Sequence, residues 1–248
     1  MPLDLVTLRC LKDNYAYLLH GDSGTALIDA PEAMPVLTEL EARGWTLDAI
    51  LLTHHHADHV DGVAEIVAAT GAKVIGAKAD ASRLPALDVS VRPGEPLEML
   101  DEPVEVIDVS GHTVGHVAFH FPRSGYAFTA DSLMAMGCGR LFEGDAAMMW
   151  ASLSRLNALP EDTLICSGHD YCAANGAFAL SVDPDNEALK TRIKEVADAH
   201  QPCAPATLAE ERATNPFLRV NDLRASLGMQ GAADAEVFAR LRRMKDDF

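Results

Sequence analysis

Basic residues are scarce: 20 lysines and arginines stand against 37 aspartates and glutamates, a formal net charge of -17 over 248 residues. That balance argues against nucleic acid or an anionic membrane as the main partner, so an anionic small molecule must find a local basic patch. Cysteine is sparse too. Cys10, Cys138, Cys166, Cys172 and Cys203 are odd in number and contain no Cys-x-x-Cys pair, so neither a disulfide framework nor a zinc ribbon is expected and a reducing compartment fits. No apolar run approaches the roughly 20 residues that cross a bilayer. Met1 to Leu8 lacks the charged head and apolar core of a secretion signal, and no internal period marks a solenoid. What remains is an ordinary globular composition, 48% hydrophobic and 23% charged. It suits one large domain or a domain with a modest appendage, expected to be cytoplasmic and monomeric.

Against these absences, one stretch is crowded. Thr53 to His59 reads Thr-His-His-His-Ala-Asp-His directly after the apolar run Ala49 to Leu52. So polar a stretch beside a buried strand calls for a partner, and a metal ion is the natural one. If the segment leaves the strand extended, His54 and His56 point one way and His55 the other. Val60, Val63, Ala64, Ile66 and Val67 then follow at helical spacing up to Gly71, so a helix is expected from near Asp58. The turn into it can aim Asp58 and His59 at a second ion. A chance histidine-rich loop is the plainer alternative, but strand, His-x-His-x-Asp-His and helix stand in the order a catalytic metal motif requires.

The pattern along the chain predicts strands over Leu3 to Leu8, Tyr15 to His20 and Thr25 to Ile28, then a helix over Pro35 to Arg43. A short strand is expected over Lys73 to Gly76, then an irregular stretch with brief strands from Asp80 to Pro103. Val104 to Val109, Val117 to Phe121, Tyr126 to Thr129 and Thr163 to Cys166 read as further strands, with a helix over Ala146 to Leu159. His112, Asp131 and His169 fall just past strand ends, where functional groups tend to be presented. From Tyr171 onward the pattern is helical, notably Asn186 to His200 and Ala233 to Met244. The boundary is placed near His169, giving domains 1–168 and 169–248. Two strand-rich halves with helices between them suggest two sheets face to face with helices outside.

The candidate ligands are His54, His56, Asp58, His59, His112, Asp131 and His169. If Asp131 bridges, one ion takes His54, His56, His112 and Asp131, and the other takes Asp58, His59, His169 and Asp131. Two divalent ions about 3.5–4 Å apart lower the pKa of a shared water and polarise a carbonyl, which is hydrolytic machinery. Imidazole and carboxylate donors suit zinc, and also iron or manganese. His55 reads as a hydrogen-bonding neighbour and His116 as structural. His20, His120 and His200 read as ordinary, and Cys166 as a buried thiol.

Together the Thr53 to His59 motif, Gly111-His112-Thr113-Val114-Gly115-His116, Asp131 and Gly168-His169 resemble the metallo-β-lactamase fold superfamily. The resemblance implies an α/β fold, a four-layer αββα sandwich with the metals at one edge of the sheets, over about the first 170 residues. The superfamily spans several chemistries, so the metal site does not name the substrate. Asp131 stands where the common zinc β-lactamases carry a cysteine ligand, which disfavours a lactamase.

Three more stretches, Gly137 to Gly144, Gly168-His169-Asp170-Tyr171 and Leu241 to Phe248, resemble the hydroxyacylglutathione hydrolase (glyoxalase II) family, as does Thr214 to Arg219. The resemblance then covers the whole chain, including a small C-terminal helical domain. It implies hydrolysis of S-D-lactoylglutathione to D-lactate and glutathione, with Arg140, Tyr171, Arg242 and Lys245 holding the glutathione moiety. Two departures stand out. Phe142 replaces a tyrosine of some members and can only pack on the substrate, and Asp170 replaces a frequent glutamate. The rivals are a lactonase or other thioesterase without dependence on Arg242 and Lys245, a glutathione persulfide dioxygenase with a single iron, and a binding protein with a vestigial site.

Overall fold

The computed structural model describes residues 2–199 and 202–248 and divides into two compact units, residues 1–108 with 115–130 and residues 109–114 with 131–248. His200 and Gln201 lie outside the described residues.

In the first unit, β1 (Asp4–Cys10), β2 (Asn14–Gly21) and β3 (Gly24–Ile28) form the expected antiparallel meander. Helix α1 (Ala33–Arg43) then leads to β4 (Ala49–Leu52), which lies parallel to β3. Beyond β4 the expected single helix is two, α2 (Ala57–Val60) and α3 (Val63–Thr70). The break falls at Gly62, whose amide donates to Ala30 O and whose missing side chain leaves room for the backbone of Glu32, 2.7 Å from where a Cβ would sit. Strands β5 (Lys73–Ala77) and β6 (Val89–Val91) add in parallel, so the sheet runs β1 to β6 in sequence order.

Strands β7 (Leu97–Met99), β8 (Glu102–Asp108), β9 (Val117–Phe121) and β10 (Tyr126–Ala130) pair antiparallel in turn. One face of the first sheet buries Leu18, Leu27, Ile50 and Leu52 against Val36, Leu40, Val63 and Ile66 of α1 and α3. From the other face Tyr17 meets Phe128 of β10 at 5.4 Å between ring centroids. Both faces of the sheet are thus covered, which is why its central strands read as continuous apolar runs.

The second unit holds the hairpin β11 (Leu133–Met134) and β12 (Gly137–Cys138), helix α4 (Ala146–Leu156), and β13 (Leu164–Ser167) paired antiparallel with β14 (Ala206–Thr207). Its other helices are α5 (Cys172–Val182), α6 (Glu187–Ala199), α7 (Leu208–Thr214), α8 (Val220–Leu223) and α9 (Asp234–Asp246). Asp145 caps α4 by accepting from Met148 N at 2.8 Å, and Thr207 with Glu210 forms a capping box on α7. Phe217 packs against both Phe178 and Phe238, binding α5 and α9 into one core. Asn215 Nδ2 donates to Met134 O and Gly137 O, which pins the hairpin and the segment after it.

The expectation about cysteine needs one correction. Cys172, the first residue of α5, is joined to Cys203 across 31 residues of sequence, while Cys10, Cys138 and Cys166 remain free and buried. Spacing could not reveal the pair, because only the packing of α5 against α6 brings the segment before β14 back to the start of α5.

Candidate active site

The first unit positions its donors at the carboxyl ends of two adjacent parallel strands. Ile28 of β3 is in register with Leu51 of β4, so the residues that follow, Asp29 and Thr53, meet. Thr53 N donates to Asp29 Oδ1 at 2.9 Å and Thr53 Oγ1 donates to Asp29 Oδ2 at 2.8 Å. His54 Nδ1 lies 3.0 Å from Thr53 Oγ1, and His59 Nδ1 lies 2.8 Å from Asp29 Oδ2. With Nδ1 engaged in each ring, Nε2 is the nitrogen presented. His54 Nε2 sits 3.2 Å from His56 Nδ1, as the alternation anticipated. His59 Nε2 faces Asp58 Oδ2 at 4.0 Å, and Asn14 Nδ2 steadies that carboxylate at 3.1 Å. His55 points elsewhere, to Asp80 Oδ2 at 3.0 Å. His116 is fully buried with its ring 4.6 Å from that of His54. His20 and His120 bond to Thr25 and Glu105.

In the second unit Asp131 Oδ2 stands between two imidazoles, 3.4 Å from His112 Nε2 and 3.3 Å from His169 Nε2. His112 Nδ1 donates to Arg140 O at 2.8 Å, so it too presents Nε2. Gly139 is obligatory here: a Cβ would lie 1.9 Å from Asp131 O and 3.1 Å from His112 Nδ1.

These spacings test whether metal ions suit the donors. Two ligands with bonds of about 2.0–2.1 Å at a tetrahedral angle stand about 3.3–3.4 Å apart. The pairs at 3.2, 3.3 and 3.4 Å fit that separation. A charge-assisted hydrogen bond is shorter, about 2.7–2.9 Å.

His112 and Asp131 share a cavity of about 340 Å³ with the four residues expected to hold a glutathione moiety, Arg140, Tyr171, Arg242 and Lys245, and with Phe142, expected to pack on the substrate. Tyr171 stacks on His169 at 4.7 Å, and Phe142 meets His112 edge-on at 5.2 Å. The cations differ in kind. Arg140 is open to solvent, whereas Arg242 is buried and donates through Nη1 to Cys138 O at 2.9 Å. Lys245 Nζ donates to Ala174 O at 2.8 Å; burial and the nearby Arg242 charge hold its ammonium below the usual lysine value. Burial pushes the Cys138 and Cys166 thiols up and brings that of Cys10 to about 12, so all three are inert.

Sequence reasoning missed Asp29, Asn14, Asp80 and, on the cavity wall, Asn175, whose Nδ2 donates to Ala135 O at 3.0 Å. Asp29 follows the expected strand Thr25 to Ile28 and precedes Pro31, and its place just past a strand end was the available signal. The other three carry no sequence signal, because each acts through a partner distant along the chain.

Comparisons with known proteins place the chain in a family. The family profile described as "Metallo-beta-lactamase superfamily" matches residues 12–169, and "Hydroxyacylglutathione hydrolase C-terminus" matches residues 170–248. Hydroxyacylglutathione hydrolases of Ruegeria pomeroyi and Cereibacter sphaeroides are 59% and 56% identical, each over 255 residues covering 100% of both chains. Among solved structures, ETHE1 from Myxococcus xanthus superposes with a TM-score of 0.69 at 24% identity, covering 98% of this chain and 90% of that one. TTHA1623 in a di-iron-bound form superposes with a TM-score of 0.62 at 30% identity, covering 87% and 100%. The fold is the α/β metallo-β-lactamase fold with a helical C-terminal domain, and its histidine and aspartate groups point to a dinuclear metal site. Similarity over the full length of both chains makes this protein a member of the hydroxyacylglutathione hydrolase family.

Proposed function

We propose that the chain hydrolyses S-D-lactoylglutathione to D-lactate and glutathione, as a thioester hydrolase. Residues 1–168 act as the catalytic domain and residues 169–248 as the substrate-binding domain. His54, His56, Asp58, His59, His112, Asp131 and His169 would hold two divalent ions, with Asp131 shared between them; zinc is the first candidate, and iron or manganese accept the same donors. When bound, such ions supply a water of lowered pKa and a polarised carbonyl. The observation that carries the reading is the cavity in which His112 and Asp131 share walls with Arg140, Tyr171, Arg242 and Lys245.

The chain's own side chains do the rest. Arg140 and Lys245 supply positive charge to a doubly carboxylated substrate on a protein of net charge -17. Phe142 and Tyr171 offer ring surface along the peptide, Phe142 without a hydroxyl. Asp58, partly exposed and held by Asn14, can take a hydrogen bond from the attacking water. Asp29 and Arg140 O keep His59 and His112 in the tautomer that presents Nε2. We place the activity in the cytoplasm, in a monomer acting on a small molecule and not on nucleic acid or membranes. No helix among the described residues is long and apolar enough to cross a membrane.

Thiol release from S-D-lactoylglutathione, with and without prior chelation, tests the proposal. Release that chelation abolishes and zinc, iron or manganese restores is the expected result. Release no faster than the chelated control, from protein holding two metals, would overturn the substrate assignment.

A further inference from the structure

Asp246, the last residue of α9, lies between the two guanidinium groups of the cavity. Its Oδ1 accepts from Arg242 Nη2 at 2.9 Å and lies 3.6 Å from Arg140 Nε. Arg242 is otherwise tied through Nη1 to Cys138 O, and its buried Nε has no hydrogen-bond partner. The two arginines are therefore not simply waiting for an anion: they already share one. The Asp246 side chain is 37% exposed and can swing toward solvent, while Arg242, with a side chain only 6% exposed, cannot.

We infer that Asp246 is an internal carboxylate occupying the anion position between Arg140 and Arg242, displaced by a carboxylate of the incoming substrate, and so a specificity-determining residue. This rests on the glutathione-thioester reading above. A neutral acyl thioester lacks a charge with which to replace Asp246, and opening the ion pairs would leave Arg242 buried and uncompensated. A carboxylate placed to meet both arginines exchanges with Asp246 in kind. The tethered competitor lowers affinity for every anion, and a ligand that forks onto both guanidinium groups suffers least.

The alternative, that Asp246 is a strut holding the arginines in place for substrate, predicts the opposite sign on removal. Asp246→Asn keeps the size and a hydrogen-bond acceptor but removes the charge. The dissociation constant of an S-alkylglutathione thioether, measured by calorimetry, should fall about five-fold, the factor for one unit charge about 4 Å away in water. The KM for the thioester should fall with it, and inhibition by acetate or sulfate should strengthen. Asp246→Glu should stay near the parent.

Equal or weaker thioether binding by an Asp246→Asn variant whose melting curve matches the parent overturns the inference. A measurement on the unaltered protein stands beside it: the Asp246 carboxyl carbon resonance should move when the thioether is added. Thioether binding with that resonance unmoved overturns the inference alone. No thioether binding by the unaltered protein overturns the glutathione reading and this inference with it.

Discussion

Asp29 Oδ2 receives two hydrogen bonds, from His59 Nδ1 and from Thr53 Oγ1, both at 2.8 Å, while Oδ1 takes the Thr53 amide. Asp29 lies close to His54 and His59, yet its oxygens are committed to orienting neighbours. Asp29→Ala leaves three buried donors without an acceptor, at about 1–3 kcal/mol each before relaxation. A stability loss of about 3 kcal/mol or more in urea unfolding is expected, together with a drop of about 10–100-fold in metal affinity or activity. Asp29→Asn, still an acceptor, should lose less of both. A stable, fully loaded Ala variant would remove Asp29 from the site.

Asp131 bears on two imidazoles at once. If it bridges two ions, Asp131→Ala should release most of the metal and reduce kcat by more than the about 10–100-fold expected for an outer partner. Metal content by emission spectroscopy and thiol release should fall together; full activity in this variant would sink the bridging role.

Lys245 sets a pH limit on binding. Burial first, and then the Arg242 charge, lower its pKa from the usual 10.5, while Asp246 pulls the other way. The ammonium is present below the lowered value and lost as pH rises through it, so KM should climb at alkaline pH before a free lysine would titrate. For folding the sign is the reverse. The unfolded chain binds more protons between the two values, and stability gains with pH across that window. Lys245→Arg should keep KM flat there, and Asp246→Asn should bring the climb to lower pH. A KM profile unchanged in both variants would show that Lys245 does not meet the substrate.

The Cys172–Cys203 bond offers a test by counting. Denatured but unreduced protein should show the three thiols of Cys10, Cys138 and Cys166, and all five cysteines of the sequence only after reduction. Cys203→Ser should cost about 2–4 kcal/mol of stability, as for loops of ordinary length. Five thiols before reduction would show the pair unbonded.

The local code of the chain determined a good deal unaided. Alternation and apolar runs mark β1, β4, β8 and β9 because a strand's environment is written every second residue or throughout. The Thr53 to His59 motif is readable because its donors are neighbours in sequence, and the strand period alone makes His54 and His56 converge. Tertiary structure decided the rest. Asp29 reaches Thr53 only through the parallel pairing of β3 and β4. Helices α2 and α3 part at Gly62 because the backbone of Glu32 occupies the space. The Cys172–Cys203 bond and the approach of Arg140 to Asp246 join segments distant in sequence, whereas the Arg242–Asp246 pair is local, one turn apart on α9. The physical reason is range: propensity and period act over a few residues, whereas hydrogen bonds and ion pairs need atoms within about 3–4 Å, whose partners the packed chain alone selects.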